Sequence, residues 1–320
     1  MYRSLCVLCA VVTAGLLSLP QNAQASPWTL PEDKFVLTLD SNYQTADEEY
    51  LPDGELQAFP LNGEFSAITF RLGGRYGVTD RFEIAANVDF KEINYEADPV
   101  VLALPSDPSD NQAVNDAIFD FGRNLAGVGD ARIHGRYALV SGLVRATSQT
   151  SIKFPFGYER PRGTFAEDTA GPGAIEDDVS LGDGQTDLTQ SFLFGAYIPA
   201  TRSFARLDAG YRLRFGSPGD QGVANFSIGQ YIGENFVIFA GANGAYTLFE
   251  GDSIGQSFIT RSPEKPAGEL QAGEGGDIET IELTLDKDYL NVEGGVIVQL
   301  RDLEIRASYG HIVWGSNIPQ

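Results

Sequence analysis

From Lys34 onward, apolar side chains recur at every second position through runs of about ten residues. Successive side chains of an extended chain point to opposite sides, so each run reads as a β-strand with one apolar and one polar face. Phe35, Leu37, Leu39 and Tyr43 share one side of the first run, and in the second Ile68, Phe70, Leu72 and Tyr76 oppose Arg71 and Arg75. After a short turn at 77–81, Phe82, Ile84, Ala86, Val88 and Phe90 alternate with Glu83, Asn87 and Asp89. Ile133, Tyr137 and Leu139 then oppose Arg132, His134 and Arg136, and Ile152, Phe154 and Phe156 alternate with Ser151 and Lys153. The clearest run sets Ala205, Leu207, Ala209, Tyr211, Leu213 and Phe215 against Arg206, Asp208, Arg212 and Arg214. Further runs cover 188–197, 223–232, 236–249, 289–300 and 303–314.

The connections sort by length, very short ones alternating with long ones. In an up-and-down barrel that crosses an outer membrane, every second connection faces the cell exterior and can be long, while those on the periplasmic side stay tight. The pattern therefore predicts an all-β fold, a transmembrane antiparallel up-and-down β-barrel of about twelve strands, within about ten to fourteen. The runs above number eleven, and an even count is expected so that both ends lie on the periplasmic side. The expected twelfth strand is 278–285, turning at 286–288, with 100–104 as the other candidate. Tyr76, Phe82, Tyr137, Tyr197, Phe204, Tyr231 and Phe236 flank the short turns. Tyr43, Phe90, Tyr95, Phe154, Phe156, Phe215 and Phe249 flank the long ones, so the two sets read as interfacial girdles.

Residues 1–25 read as a signal peptide, with Arg3, an apolar run from Leu5 to Leu19, and a small-residue cleavage site ending at Ala25. The remainder, 26–320, reads as one barrel domain and holds no run of eighteen apolar residues that would suggest a spanning helix. Both cysteines, Cys6 and Cys9, fall within the leader, so no internal disulfide is expected after cleavage. Localisation in the outer membrane of a Gram-negative bacterium follows from the leader and the barrel pattern together. Outer-membrane lipid, lipopolysaccharide and the barrel-assembly machinery are the expected partners.

Charge sharpens the picture once mapped. Without the leader the chain nets −23, and four segments, 45–63, 96–129, 158–184 and 250–280, each net −5. They are rich in Pro, Gly and Asp and read as long acidic loops. This sign of charge excludes nucleic-acid binding. Asp177, Asp178, Asp183 and Asp187 are candidate Ca²⁺ ligands, although their spacing is not that of an EF-hand. No other cofactor is expected.

If the apolar faces meet lipid, Arg71, Arg75, Arg132, His134, Arg136, Lys153, Arg206, Asp208, Arg212 and Arg214 line the lumen, joined by Glu83, Asp89 and Glu293. Two arrangements are open: ion-pair ladders that fill a narrow barrel, or a cationic pore wall beneath an acidic mouth. Only His134 and His311 are present as histidines, neither in a zinc spacing, and no catalytic residues are assigned.

Several short motifs resemble a family of outer-membrane proteins named for the meta-pathway of phenol degradation: RYGVTDRFE (Arg75 to Glu83), GVGD (Gly127 to Asp130), KFPFG (Lys153 to Gly157), LGDGQTD (Leu181 to Asp187) and WGSN (Trp314 to Asn317). The resemblance implies a barrel of about a dozen strands that moves small hydrophobic or aromatic compounds, and it supplies no catalytic residues. The chain departs from the usual barrel ending by closing on Asn317-Ile318-Pro319-Gln320 rather than on an aromatic residue. The leading expectation is a passive channel for small molecules. Alternatives are a secreted or periplasmic all-β binding module, in which the same apolar faces form a sealed core, and an outer-membrane barrel hydrolase.

Overall fold

The computed structural model describes residues 11–14, 27–101, 118–119, 122–158, 160–161, 180–265 and 276–320. Each of the eleven periodic runs is a strand: β1 (Phe35–Ala46), β2 (Glu64–Gly77), β3 (Phe82–Glu96), β4 (Arg123–Val140), β5 (Val144–Pro155), β6 (Thr186–Ile198), β7 (Ser203–Phe215), β8 (Gln221–Ile232), β9 (Phe236–Thr247), β10 (Asp288–Leu300) and β11 (Leu303–Ser316). Neighbours in sequence are antiparallel neighbours in one curled sheet. Bulges interrupt the register between Val88 and Phe90, at Ala146/Thr147 and at Leu290/Asn291.

The twelfth position is not filled as the sequence suggested. Ile278–Glu282 pairs with Gln256–Thr260 in a separate two-stranded sheet within a long connection. Val100–Val101 pairs with Ile118–Phe119 in another. Both candidates are apolar enough to form strands, yet among the described residues neither pairs over a length that crosses the barrel. Because eleven strands alternate direction, β1 and β11 run the same way, and a strand between them must oppose both. Val11–Ala14, inside the expected leader, takes that place, Val12 in register with Leu39 on one side and with Ile305 on the other. Nearer the long-connection end the chain turns at Asn317, which has φ +57°, so that Ile318–Pro319 runs back antiparallel to Glu48–Tyr50. Asn317 donates to the carbonyls of Thr284 and Asp286, each at 3.0 Å, which gives the WGSN motif a structural role.

Polarity is inverted relative to a water-soluble fold. Phe70, Leu72, Ile133, Ile152, Phe192, Leu207, Leu213, Phe226 and Ile228 are exposed on the outside, while Arg75, Glu83, Asp89, Arg136 and Arg214 are buried. An apolar exterior that encircles the sheet far exceeds the patches soluble monomers expose, and hydrocarbon is the solvent that suits it. A water-soluble sandwich would need Leu207 and Leu213 in a sealed core, so that alternative is set aside. No helix among the described residues is long and apolar enough to cross a membrane, and the crossing is made by strands.

Some aromatic side chains sit elsewhere than the girdle reading placed them. Phe204 and Tyr231 pack against Val237, Phe239 and Ile297 inside the barrel, and Tyr197 meets Tyr231 edge-on at 6.2 Å. Phe204 and Tyr231 fall on the parity of the inward polar residues, Phe204 with Arg206 and Tyr231 with Ser227. Proximity to a turn says nothing about which side of the sheet a ring is on.

Candidate functional site

The interior is the candidate site. Two adjoining cavities of about 940 and 860 Å³ occupy it, the first toward the short-turn end and the second toward the long connections. Both are bordered by Gln44, Thr69, Lys91, Arg132, His134 and Gln149. The first cavity also touches Arg71, Arg75, Arg136 and Arg206, and the second touches Lys153, Arg212 and Arg214. Asp208 lies on the same face of β7 and pairs with Arg206.

On β2–β5 the charged residues form ladders across strands. Asp89 accepts from Arg71 Nε at 2.6 Å and from Arg132 Nη1 at 2.8 Å. Glu83 accepts from Arg75 Nη2 at 2.7 Å and from Arg136 Nη1 at 3.0 Å. His134 Nδ1 lies 2.6 Å from Ser151 Oγ and its Nε2 lies 3.1 Å from the Asn87 amide, with no carboxylate in that chain.

Glu83 has a second duty. Its Oε2 accepts the Leu30 backbone N–H at 2.8 Å, Arg75 donates to the Trp28 carbonyl at 3.2 Å, and Thr147 Oγ1 donates to the Pro27 carbonyl at 2.5 Å. Residues 27–31 are thereby folded into the short-turn end of the barrel and take up part of its opening, Pro27 fully buried and Trp28 bordering the lumen. Gly195 and Gly77 accommodate this segment: a Cβ at the first would collide with Pro27 and Trp28, and at the second with the Pro31 carbonyl. The RYGVTDRFE motif thus supplies, in Arg75 and Glu83, the clasp that holds this segment.

The LGDGQTD motif performs a similar task at the other end. Lys153 Nζ donates to Asp183 at 2.5 and 2.7 Å and lies 2.9 Å from Asp187, while Arg214 Nη2 donates to Asp183 at 2.7 Å. Burial pushes the Asp183 carboxyl up, but Lys153, the Gln185 N–H and Arg214 outweigh it and hold it at about 2. Tyr158 donates to Asp130 at 2.6 Å and accepts from the Gly184 N–H at 3.1 Å; burial and the Asp130 carboxylate push its phenol well above its ordinary value. Burial also pushes the Lys287 ammonium down. Of the four candidate Ca²⁺ ligands, Asp183 and Asp187 are engaged by these cations, and Asp177 and Asp178 lie outside the described residues. No group of three or more metal-ligating side chains occurs among the described residues.

The wall formed by β7–β10 differs. At the short-turn end it presents the Phe204, Tyr231, Val237, Phe239 and Ile297 cluster, with the Arg306 guanidinium 4.2 Å from the Phe239 ring centroid. Above it Arg206 pairs with Asp208 and Arg306 with Glu293 at 2.9 Å. Higher still, Asp208, Asn225, Asn243 and Asn291 stand in direct cross-strand register on β7, β8, β9 and β10. Sequence reading did not single out these asparagines, nor Trp28, Lys91 or Phe239. The asparagines could have been found, because each lies on the polar parity of its run.

A closed antiparallel sheet, apolar outside and charged within, defines the class: a transmembrane β-barrel. Among solved structures, an outer membrane channel from Pseudomonas putida F1 is similar at TM-score 0.53 and 11% identity, over 91% of this chain and 100% of that chain. A mutant of the monoaromatic hydrocarbon channel TodX aligns over 98% of this chain and 89% of that chain at 12% identity, with TM-score 0.35. No protein-family model matches the chain, and no curated protein matches its sequence.

Proposed function

We propose that this protein is a passive channel for small molecules in the outer membrane of a Gram-negative bacterium, and that removal of residues 1–25 takes Val11–Ala14 out of the sheet and leaves the eleven long strands β1–β11 as the barrel wall. The observation that carries the reading is the polar lumen, two adjoining cavities running from Trp28 to Ile318 inside an apolar exterior. A barrel that served only as an anchor would gain from filling this space with side chains. The long acidic connections face outward, toward lipopolysaccharide, and the short turns face the periplasm. The barrel-assembly machinery inserts the chain, and no chemistry is assigned to the lumen.

In this reading the segment 27–31 sets the resting conductance. Single-channel recording in planar bilayers tests it. The intact protein should conduct weakly, and a variant lacking residues 27–31 should conduct several-fold more. Equal, near-zero conductance from both, in protein that keeps a heat-dependent shift on unboiled gels, would remove the channel reading.

A further inference from the structure

We propose that the cavity of about 940 Å³ is a binding site for small organic anions, a carboxylate carried on an apolar ring. The inference deepens the channel reading by naming a solute class for the same lumen. It rests on which member of each ion pair faces the cavity. On the β2–β4 wall the carboxylate of Asp89 is 1% exposed, whereas the guanidinium-bearing side chains it serves, Arg71 and Arg132, are 41% and 27% exposed. Glu83 is fully buried behind Arg75 and Arg136, which edge the cavity but are themselves buried, so the exposed cations of this wall are Arg71 and Arg132. A solute therefore meets cations first, with their counter-charges recessed. Guanidinium forks match a carboxylate in shape as well as charge. Asp40, in register with Arg71, is the competing acid on this face.

The opposite wall offers no such excess. Arg206 with Asp208 and Arg306 with Glu293 are balanced pairs of similar exposure. What that wall adds is apolar: Phe204, Phe239 and Ile297 border the same cavity, and Trp28 of the 27–31 segment borders it too. A planar ring laid against these side chains leaves its carboxylate to reach across to Arg71 and Arg132. Acidic loops at the mouth do not forbid entry, because charges in water are screened beyond about 8 Å at physiological ionic strength.

Trp28 makes binding measurable without transport. Trp28 and Trp314 are the two tryptophans, and Trp314 is exposed on the outer surface, so a Trp314→Phe background leaves emission from the cavity alone. Full-length protein in detergent micelles is titrated with sodium benzoate and, separately, with benzyl alcohol, its uncharged counterpart. Benzoate should shift Trp28 emission saturably and bind at least about tenfold more tightly than benzyl alcohol. Arg71→Gln should weaken benzoate about tenfold, and Asp40→Asn should tighten it. Equal affinity for the two probes, no response of Trp28 to either, or unchanged benzoate affinity in a folded Arg71→Gln protein would overturn the proposal. Should Arg71→Gln lose its heat-dependent gel shift, the ratio between probes and the Asp40→Asn response decide. Because the titration reads equilibrium binding, protein that binds benzoate but never conducts would sink the channel reading and leave this one standing.

Discussion

The two walls of the lumen are written in the same period-two code and yet hold the barrel together differently. On β2–β5 the inward positions are charged, and stability there depends on each buried carboxylate keeping its guanidiniums. On β7–β10 they are aromatic and aliphatic near the short turns, with amides and balanced ion pairs above. A buried charge that loses its partner is far more costly than a ring that loses some contacts, so the charged wall should be the more brittle. It also holds residues 27–31, which ties the strength of the wall to the state of the lumen.

The sharpest way to break this comparison is Glu83→Gln. It leaves Arg75 and Arg136 buried without a counter-charge and weakens the anchor on Leu30, and should destabilise the barrel by about 3–5 kcal/mol. Urea unfolding from lipid vesicles measures this, and a loss below 1 kcal/mol would mean the charged wall is not brittle. Phe239→Ala on the other wall should cost about 2 kcal/mol, less than in a sealed core, because the ring borders a cavity and part of its contact is with Arg306. A larger loss than for Glu83→Gln would reverse the ranking.

How far the sequence carried the account differs between these walls. The eleven strands and the inward arginines were legible because strict alternation over ten or more residues has one structural meaning. The twelfth position was not, because it depends on what fits between β1 and β11 and not on periodicity. The inward rings of Phe204 and Tyr231 were hidden by their closeness to the turns. Residues 27–31 carry no period at all, and their place is set by partners about fifty or more residues away, Glu83 and Thr147. Asp183 and Asp187 were legible as acids, but Lys153 and Arg214 come to them only through the fold.

A smaller effect tests the junction between the walls, where Asp183 bridges Lys153 on β5 and Arg214 on β7. Its folded value of about 2 lies below the ordinary carboxylate value near 4, so its contribution is complete above that ordinary value and fades as pH falls toward about 2. Amide-hydrogen exchange of residues 180–187 should stay slow from pH 7 to 4 and quicken only below. Loss of protection already above pH 5 would show that this bridge is not what orders the segment, and Asp183→Asn should remove the protection even at pH 7.

The central claim is that the sheet is turned inside out, apolar positions to lipid and charged ones to a water-filled lumen. Cys6 and Cys9 are the two cysteines, so replacing both with serine gives a cysteine-free background in which single cysteines can be placed along β7. In membranes, cysteines at 207, 209, 211 and 213 should react with a lipid-soluble maleimide and resist a small charged thiosulfonate, while those at 208, 210 and 212 should do the opposite. That two-residue alternation is the predicted result; uniform reactivity along the strand, or the reversed pattern, would contradict the account.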